Sequence, residues 1–216
     1  RVENGVLSLE ELVRVYQLCL GTEALVKFAK KNQHEYPKIW QSCEHIERVQ
    51  DIIKLIRSIL NKNLGIDDKA TNQLNVIRKQ MKSVKIEIDK NFNRVLRQYK
   101  EEDILDSTEE TFLDNRRLLV VISAHKRKVQ GKIQGVSGKG NFSYVEPGVN
   151  LHLNKQLDKL IIEESNEIFK ILQEITLSLR TEKRNLKAFE RLLIRFDLYN
   201  AKVRFSHTYN GVIPRV

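Results

Sequence analysis

The sequence has few of the residues that cross-link or interrupt a chain. Only two cysteines, three prolines and nine glycines occur among its 216 residues. Cys19 and Cys43 are too few for a disulfide framework, which is typical of proteins in a reducing cytoplasm, so we expect a cytoplasmic protein. The triplet Cys43-Glu44-His45 has no second ligand pair, and the remaining histidines are scattered, which argues against a structural zinc site.

Long apolar runs are also absent. No stretch approaches the roughly 20 apolar residues that cross a bilayer, so we expect no membrane partner. Hydrophobic residues make up 41% of the chain and charged residues 31%, a mixture typical of soluble proteins rich in long helices. The sequence starts at Arg1 without methionine and stops abruptly at Val216, and we expect a piece of a longer protein.

Positively charged residues, by contrast, outnumber negatively charged ones. Lysine and arginine number 38 against 28 aspartates and glutamates, which gives a formal net charge of +10. An excess of this sign favours a polyanionic partner such as nucleic acid, although many basic proteins bind none.

Helical periodicity dominates the first third of the chain. Ser8-Leu9-Glu10-Glu11 is a capping box and predicts a helix that runs to about Lys31. Pro37 suits the first turn of a second helix, which should end in the polar stretch before Gly65. The residues that this second helix is expected to bury are Ile39, Cys43, Ile46, Val49, Ile53 and Ile56.

Two longer helices are predicted further on. A cap at Asp67 or Asp68 should start a third helix that ends near Tyr99, with apolar residues spaced alternately three and four apart on one face. These are Ala70, Leu74, Ile77, Met81, Val84, Ile88, Phe92, Val95 and Tyr99, and the opposite face carries Arg78, Lys79, Lys82, Lys85, Arg94 and Arg97.

From about Asn150 to about Phe205 neither proline nor glycine occurs. A heptad-like rhythm, interrupted at Glu164 and Glu182, predicts one helix about 80 Å long. Because neither this helix nor the third can bury its apolar stripe alone, we expect an antiparallel coiled-coil pair. Two shorter helices packed in a bundle are the alternative.

Between these helices the period changes to that of strands. Short β-branched or alternating runs occur at 112–113, 118–123, 129–136 and 141–145, each bounded by turn residues. Asp114-Asn115 and Gly138-Lys139-Gly140 suit hairpin turns. We therefore expect a mainly α fold with a small antiparallel sheet at the far end of two long helical arms.

The glycine cluster at 131–140 is not a phosphate-binding loop. A P-loop requires Ser or Thr after Gly-Lys and a helix beyond it, whereas Gly138-Lys139 is followed by Gly140 and then by a strand-like run. The glycines are expected to permit positive φ in a hairpin turn. We expect no catalytic residue, metal site or cofactor site in this chain.

The charge around the glycines is the more informative signal. No acidic residue occurs between Asp114 and Glu146. Lysine and arginine neutralise phosphates without reading base sequence, so the basic residues of this segment are the predicted nucleic-acid contacts. They are Arg116, Arg117, Lys126, Arg127, Lys128, Lys132 and Lys139. The alternative is a sheet edge kept charged to discourage strand pairing.

Three stretches resemble one known family. They are 4–12 (Asn-Gly-Val-Leu-Ser-Leu-Glu-Glu-Leu), 115–121 continuing through Lys128 and Gly131 to Tyr144-Val145-Glu146-Pro147, and Leu157, Glu163-Glu164 and Glu167-Ile168 followed by Leu192 and 196–202. Together they resemble the MutS family. The nearest branch is the second bacterial one, whose members carry a C-terminal Smr nuclease domain.

The resemblance implies a helical core with two long antiparallel lever helices and an inserted β clamp. It places helical core at 1–66, the ascending lever helix at 67–108, the clamp at 109–149, and the returning lever helix and core at 150–216. In such a protein this chain would be a non-catalytic part of a homodimeric, DNA-binding ATPase. ATP and magnesium would bind in a domain outside the chain.

The resemblance implies that the clamp holds double-stranded DNA non-specifically in mismatch repair or recombination control. Structured RNA on a ribosome, in a ribosome-rescue factor, is one alternative. A coiled-coil scaffold that binds a partner protein is another. The branch usually has a His-Asp pair and a serine-rich turn where this chain reads 134–140 (Gln-Gly-Val-Ser-Gly-Lys-Gly), which leaves open a diverged paralogue with a different substrate.

Overall fold

The computed structural model describes residues 5–209 and Gly211. In that part of the chain six α-helices and one four-stranded antiparallel sheet occur, which confirms the mainly α fold class. They form two compact units, one made by the chain up to Thr71 and from Ile168 onward, the other by Asn72–Glu167. Among the described helices, none combines the length and hydropathy that a bilayer-spanning helix requires.

The first unit contains α1 (Leu9–Lys31), α2 (Pro37–Cys43), α3 (Val49–Arg57), the end of α5 (Leu151–Thr181) and α6 (Lys183–Thr208). The capping box that the sequence predicts is confirmed at the start of α1. The Ser8 hydroxyl accepts from the Glu11 amide at 3.2 Å, and the Glu11 carboxylate accepts from the Ser8 amide at 2.8 Å. The apolar core of the first unit joins α1, α2 and α6 through Leu25, Ala29, Cys43 and Leu192.

The single second helix predicted after Pro37 is wrong, because the chain turns before Val49. Helix α2 ends at Cys43, and Arg48, which immediately precedes α3, has φ of 59°, in the left-handed region that interrupts a right-handed helix. Helix α3 nevertheless buries Val49, Ile53 and Ile56 as expected, together with Ile52.

The unbroken helix predicted from Asn150 to Phe205 is also wrong, at Glu182. Helix α5 ends at Thr181 and α6 begins at Lys183, so two helices are present, as the alternative interpretation had it. Glu182 is buried at this interruption, where its carboxylate pairs with Arg48 at 2.9 Å and accepts from the Asn185 side-chain amide at 2.7 Å. The ion pair and the hydrogen bond offset the cost of burying this carboxylate.

The second unit is organised by α4 (Asn72–Glu101). It starts later than the predicted cap, because Asp67 accepts from the Lys69 amide at 2.8 Å in a turn that precedes the helix. Every apolar residue predicted on its buried face from position 74 onward is indeed buried. These are Leu74, Ile77, Met81, Val84, Ile88, Phe92, Val95 and Tyr99.

The first half of α4 pairs with α5 in the antiparallel sense, which confirms the predicted direction of the two long helices. Near its start, Arg78 pairs with Glu164 at 2.7 Å, and further along, the Ile88 carbonyl accepts from the Asn150 side-chain amide at 3.1 Å. Residue numbers therefore increase along α4 in the direction in which they decrease along α5. Between these two links lies a shared apolar cluster of Ile77, Met81, Val84, Ile88, Leu153 and Leu160.

The sheet consists of β1 (Leu105–Leu113), β2 (Arg116–Ile122), β3 (Gly131–Val136) and β4 (Phe142–Pro147), in the order β1-β2-β4-β3. The predicted hairpin turn at Asp114 and Asn115 is confirmed, since their φ values of 47° and 63° are those of a type I′ turn. The sheet packs on the second half of α4, and this core contains Phe92, Val95, Tyr99, Ile104, Leu105, Leu119, Val121, Val129 and Val145.

The connection from β2 to β3 crosses the sheet. Both strands are antiparallel to β4, which lies between them, so they run in the same direction and residues 123–130 return along the sheet. Val129 is buried in the core on α4, and the Gln130 amide donates to the Tyr99 hydroxyl at 3.0 Å. The connection is therefore fixed to α4 just before β3 begins.

Close packing at Gly131 generates a testable prediction. A Cβ atom there would lie 2.2 Å from the Glu146 carbonyl oxygen of the neighbouring strand, whereas Gly138 has nothing within 4 Å. Gly131→Ala should lower the free energy of unfolding by about 1–3 kcal/mol, because the strands must separate to admit the methyl group. Gly138→Ala should change it by less than about 0.5 kcal/mol. Urea unfolding followed by circular dichroism compares the two, and equal effects would contradict the packing described.

Candidate nucleic-acid interface

The four clustered glycines serve different structural purposes. Only Gly140 has positive φ, at 73°, in the turn between β3 and β4. The Gly140 amide donates to the Ser137 carbonyl at 2.8 Å, and the Ser137 hydroxyl accepts from the Phe142 amide at 3.1 Å. The predicted positive φ is confirmed for this glycine alone, whereas Gly131 allows close strand packing. Because strand β4 follows the turn, no helix N-terminus faces these glycines.

Two segments of the sheet meet at one end. The Ser123 amide at the end of β2 donates to the Asn141 carbonyl at 2.9 Å, and the Ser123 hydroxyl donates to the Gly140 carbonyl at 2.7 Å. These bonds hold the start of the β2–β3 connection against the β3–β4 turn. The connection that starts here and the β3–β4 turn together carry four of the predicted contacts, which are all exposed. We call them the tip group: Lys126, Arg127, Lys128 and Lys139.

The backbone around the tip group is ordered by local hydrogen bonds. A short 3-10 turn spans Ser123–His125, and its end is extended by the Lys126 amide, which donates to the Ser123 carbonyl at 3.4 Å. The Lys128 amide donates to the His125 carbonyl at 2.9 Å. With Val129 buried directly after them, residues 126–128 are presented outward from a segment that is anchored at both ends.

The tip group is electrostatically unbalanced. In the described part of the chain none of its four side chains forms an ion pair, and the segment 123–145 contains no acidic residue. The acids Glu101, Glu102 and Asp103 come just before Ile104, whose carbonyl accepts from the Ile122 amide at 3.1 Å. The tip group can therefore attract a polyanion, with an acidic segment on one side.

Lys132 lies apart from Lys139 of the tip group. It is exposed on the edge strand β3, next to Gly131, where the strand pairs with Glu146 and Pro147. That is the opposite end of β3 from the β3–β4 turn, so the structure does not bring Lys132 together with Lys139.

Arg116 and Arg117 already have partners within the second unit. Arg116 pairs with buried Glu146 at 3.2 Å and with Asp158 of α5 at 2.6 Å. Arg117 pairs with Asp89 of α4 at 3.1 Å and with Glu110 at 2.6 Å, and its guanidinium carbon lies 4.2 Å from the centre of the Phe92 ring. Their charges are thus used to join the sheet to the two long helices.

Sequence reasoning missed the role of Glu146. Its side chain is fully buried, and besides Arg116 it accepts hydrogen bonds from Asn154 at 2.6 Å and from Gln134. The only signal was that Glu146 ends a long acid-free run, and such a run does not reveal burial or partners.

A metal centre is not found among residues 5–209 and 211. No group of three or more histidine, cysteine, aspartate or glutamate side chains there is arranged to hold a metal ion. Both cysteines are buried, and burial raises the pKa of the Cys19 thiol to about 11 and raises that of Cys43 above its ordinary value. Both thiols are therefore protonated at neutral pH and are poor nucleophiles.

Comparison with known proteins places this geometry in context. No protein-family profile matches the chain. A protein named Endonuclease MutS2 from Thermotoga petrophila is 27% identical over all 216 residues. Proteins of the same name from Aquifex aeolicus and Clostridium botulinum are 22% and 24% identical over 99% of the chain. The resemblance to the second bacterial MutS branch is confirmed along the whole chain.

The chain covers only a minor part of these relatives. It spans 28% of the length of the Thermotoga petrophila and Aquifex aeolicus proteins and 27% of that from Clostridium botulinum. The name Endonuclease describes those whole proteins, most of whose length has no counterpart in this chain.

The buried carboxylate generates a second prediction. Glu146→Gln keeps the side-chain shape but removes the charge that Arg116 and Asn154 contact, and it should lower the free energy of unfolding by about 1.5–3 kcal/mol. Asp158→Asn removes a carboxylate from the same guanidinium, but that carboxylate is 52% exposed, so the loss should stay below about 1 kcal/mol. Urea unfolding tests both, and a larger loss for Asp158→Asn would contradict this assignment.

Proposed function

We propose, from the similarity to the Endonuclease MutS2 proteins, that this chain is the clamp and lever part of a MutS-like DNA-binding ATPase. Residues 109–149 would be the clamp, 67–108 and 150–216 would carry the lever helices, and 1–66 would belong to the helical core. The clamp would hold double-stranded nucleic acid by its phosphate backbone. The observation that carries the proposal is the tip group, four exposed cations on the β2–β3 connection and the β3–β4 turn that form no ion pair with any residue the structure describes.

The tip group suits contact with phosphates rather than with base edges. Lysine and arginine gain affinity by releasing the counterions condensed on the nucleic acid, whatever its base sequence. Because the connection that carries Lys126, Arg127 and Lys128 is anchored at Ser123 and at Val129, little backbone order has to be created on binding. The proposed binding is therefore non-specific and strongly dependent on salt.

The long helices give the clamp a mechanical connection. Arg116 and Arg117 tie the sheet to α5 and α4, so a displacement of either helix would move the sheet with it. In the proposed parent protein, ATP and magnesium bind in a domain outside this chain, and the chain itself transmits motion without catalysing a reaction. The parent would be a cytoplasmic homodimer that acts in mismatch repair or recombination control.

Structured RNA on a ribosome is the second candidate of the same kind. The tip group supports it as well as it supports DNA, because the phosphates that its cations would contact are common to RNA and DNA. A protein-binding scaffold is the remaining candidate, and it gives the tip group no role. Removal of the tip-group charges distinguishes a nucleic-acid-binding protein from a protein-binding scaffold, because it weakens binding only in the first case.

Duplex binding over a salt series tests the proposal. Fluorescence anisotropy with a 20-base-pair DNA should give a slope of log K against log salt that is shallower by up to about 2.7 in the variant K126Q/R127Q/K128Q, at about 0.9 per lost phosphate contact. The matched control K183Q/R184Q/K187Q removes two lysines and one arginine from exposed positions of α6 and should leave the slope unchanged.

The outcomes distinguish the candidates. A slope that is equal in the wild-type protein and the K126Q/R127Q/K128Q variant would refute the tip group as the binding surface and would favour the scaffold. A duplex RNA of the same length, measured in parallel, separates the other two. Tighter binding to RNA than to DNA at equal salt would favour the ribosomal candidate.

A further inference from the structure

The outward face of α4 carries a second set of unpaired cations. At 100° per residue they occupy about 120° of the helix circumference, opposite the residues that α4 buries. Over 18 residues they extend about 27 Å along the helix axis. We call this set the lever stripe: Lys79, Lys82, Lys90, Arg94 and Arg97.

The lever stripe differs from its neighbours on the same helix. Arg78 pairs with Glu164 at 2.7 Å and Lys100 pairs with Glu109 at 2.6 Å. In the described part of the chain, none of the five stripe residues forms an ion pair or a side-chain hydrogen bond, and all five are exposed. The acids Glu87 and Asp89 lie at its flanks and Glu101 lies one turn beyond Arg97 on the same face; Asp89 is already paired with Arg117.

A helix surface of a single charge sign is not required for solubility, as α5, which pairs with α4, shows. The part of α5 within the second unit has charges of both signs with acids in the majority: Lys155, Asp158, Lys159, Glu163, Glu164 and Glu167. A solvated helix surface of mixed sign is the usual arrangement. Of the two long helices in this unit, only α4 presents an extended surface of one sign.

We propose that the lever stripe is a second binding surface for the phosphate backbone of double-stranded nucleic acid, an inference that rests on the function proposed for the tip group. Its length of about 27 Å matches about 8 base pairs at 3.4 Å per pair. The stripe is separate from the tip group, because Phe92, Val95 and Tyr99, which face the sheet, lie on the opposite side of α4.

The chemistry of the stripe favours a nucleic acid over an acidic protein. A protein partner needs large apolar or aromatic anchors at the centre of its contact. Ile86, which is 59% exposed, is the single large apolar side chain among the stripe cations. Five cations spread along a helix with one isoleucine between them suit a long, regularly charged partner.

Charge removal with three variants and a 30-base-pair DNA tests the inference. The stripe variant is K79Q/K82Q/K90Q/R94Q/R97Q, and its matched control is K183Q/R184Q/K187Q/R191Q/K202Q, which removes three lysines and two arginines from exposed positions of α6. The third variant is K126Q/R127Q/K128Q. The slope of log K against log salt should become shallower by about 2–4.5 in the stripe variant, and affinity at low salt should fall at least tenfold, with the control close to wild type.

Each result separates the stripe from the tip group. If the tip variant loses slope and the stripe variant keeps the wild-type slope, this inference is overturned while the proposed function stands. If the wild-type protein binds no duplex, the proposed function fails and the inference fails with it. Circular dichroism must show unchanged helix content, and K79R/K82R/K90R, which keeps the charges, should retain the wild-type slope.

Discussion

The buried apolar face of α4 holds the second unit together. Its first half packs against α5 through Ile77, Val84 and Ile88, and its second half packs against the sheet through Phe92, Val95 and Tyr99. The sheet depends on this contact, because its apolar face must be covered by another element, and the ion pairs of Arg116 and Arg117 add to it. Burial of this apolar face therefore fixes the position of the sheet along α4. It also fixes the position of every charge that the sheet carries.

Basic side chains in this unit divide into two kinds by their partners. Arg78, Arg116 and Arg117 pair with carboxylates and connect the elements, whereas the tip group and the lever stripe face solvent and have no ion-pair partner in the described part of the chain. A cation that already contacts one or two carboxylates has little to gain from a phosphate, because it would have to give up those contacts. The unpaired cations are the ones available to a polyanion, and they lie where no carboxylate of the described residues neutralises them.

Sequence patterns predicted the structure correctly where interactions between residues close together in the chain determine it. The three-and-four spacing predicted the buried face of α4, the capping box predicted the start of α1, and Asp114-Asn115 predicted the hairpin turn. The heptad rhythm is interrupted at Glu182 but also at Glu164, so it did not show which interruption ends the helix, and the ion pair of Glu182 with Arg48 joins residues far apart in the chain. For the same reason the sequence could not separate Arg116 and Arg117 from the tip group, or place Lys132 at the other end of β3. The start of β1 was missed because residues 106–110 are polar and the strand is irregular there.

The central claim is that the tip group is where this chain contacts nucleic acid, and hydrogen exchange followed by mass spectrometry tests it most directly. With a saturating 20-base-pair DNA, peptides that cover 124–128 and 138–140 should exchange more slowly than in the free protein. Peptides from α1 and α6 should exchange at unchanged rates. If the tip peptides exchange equally fast with and without DNA while the protein is bound, the nucleic acid contacts another surface and the account is wrong.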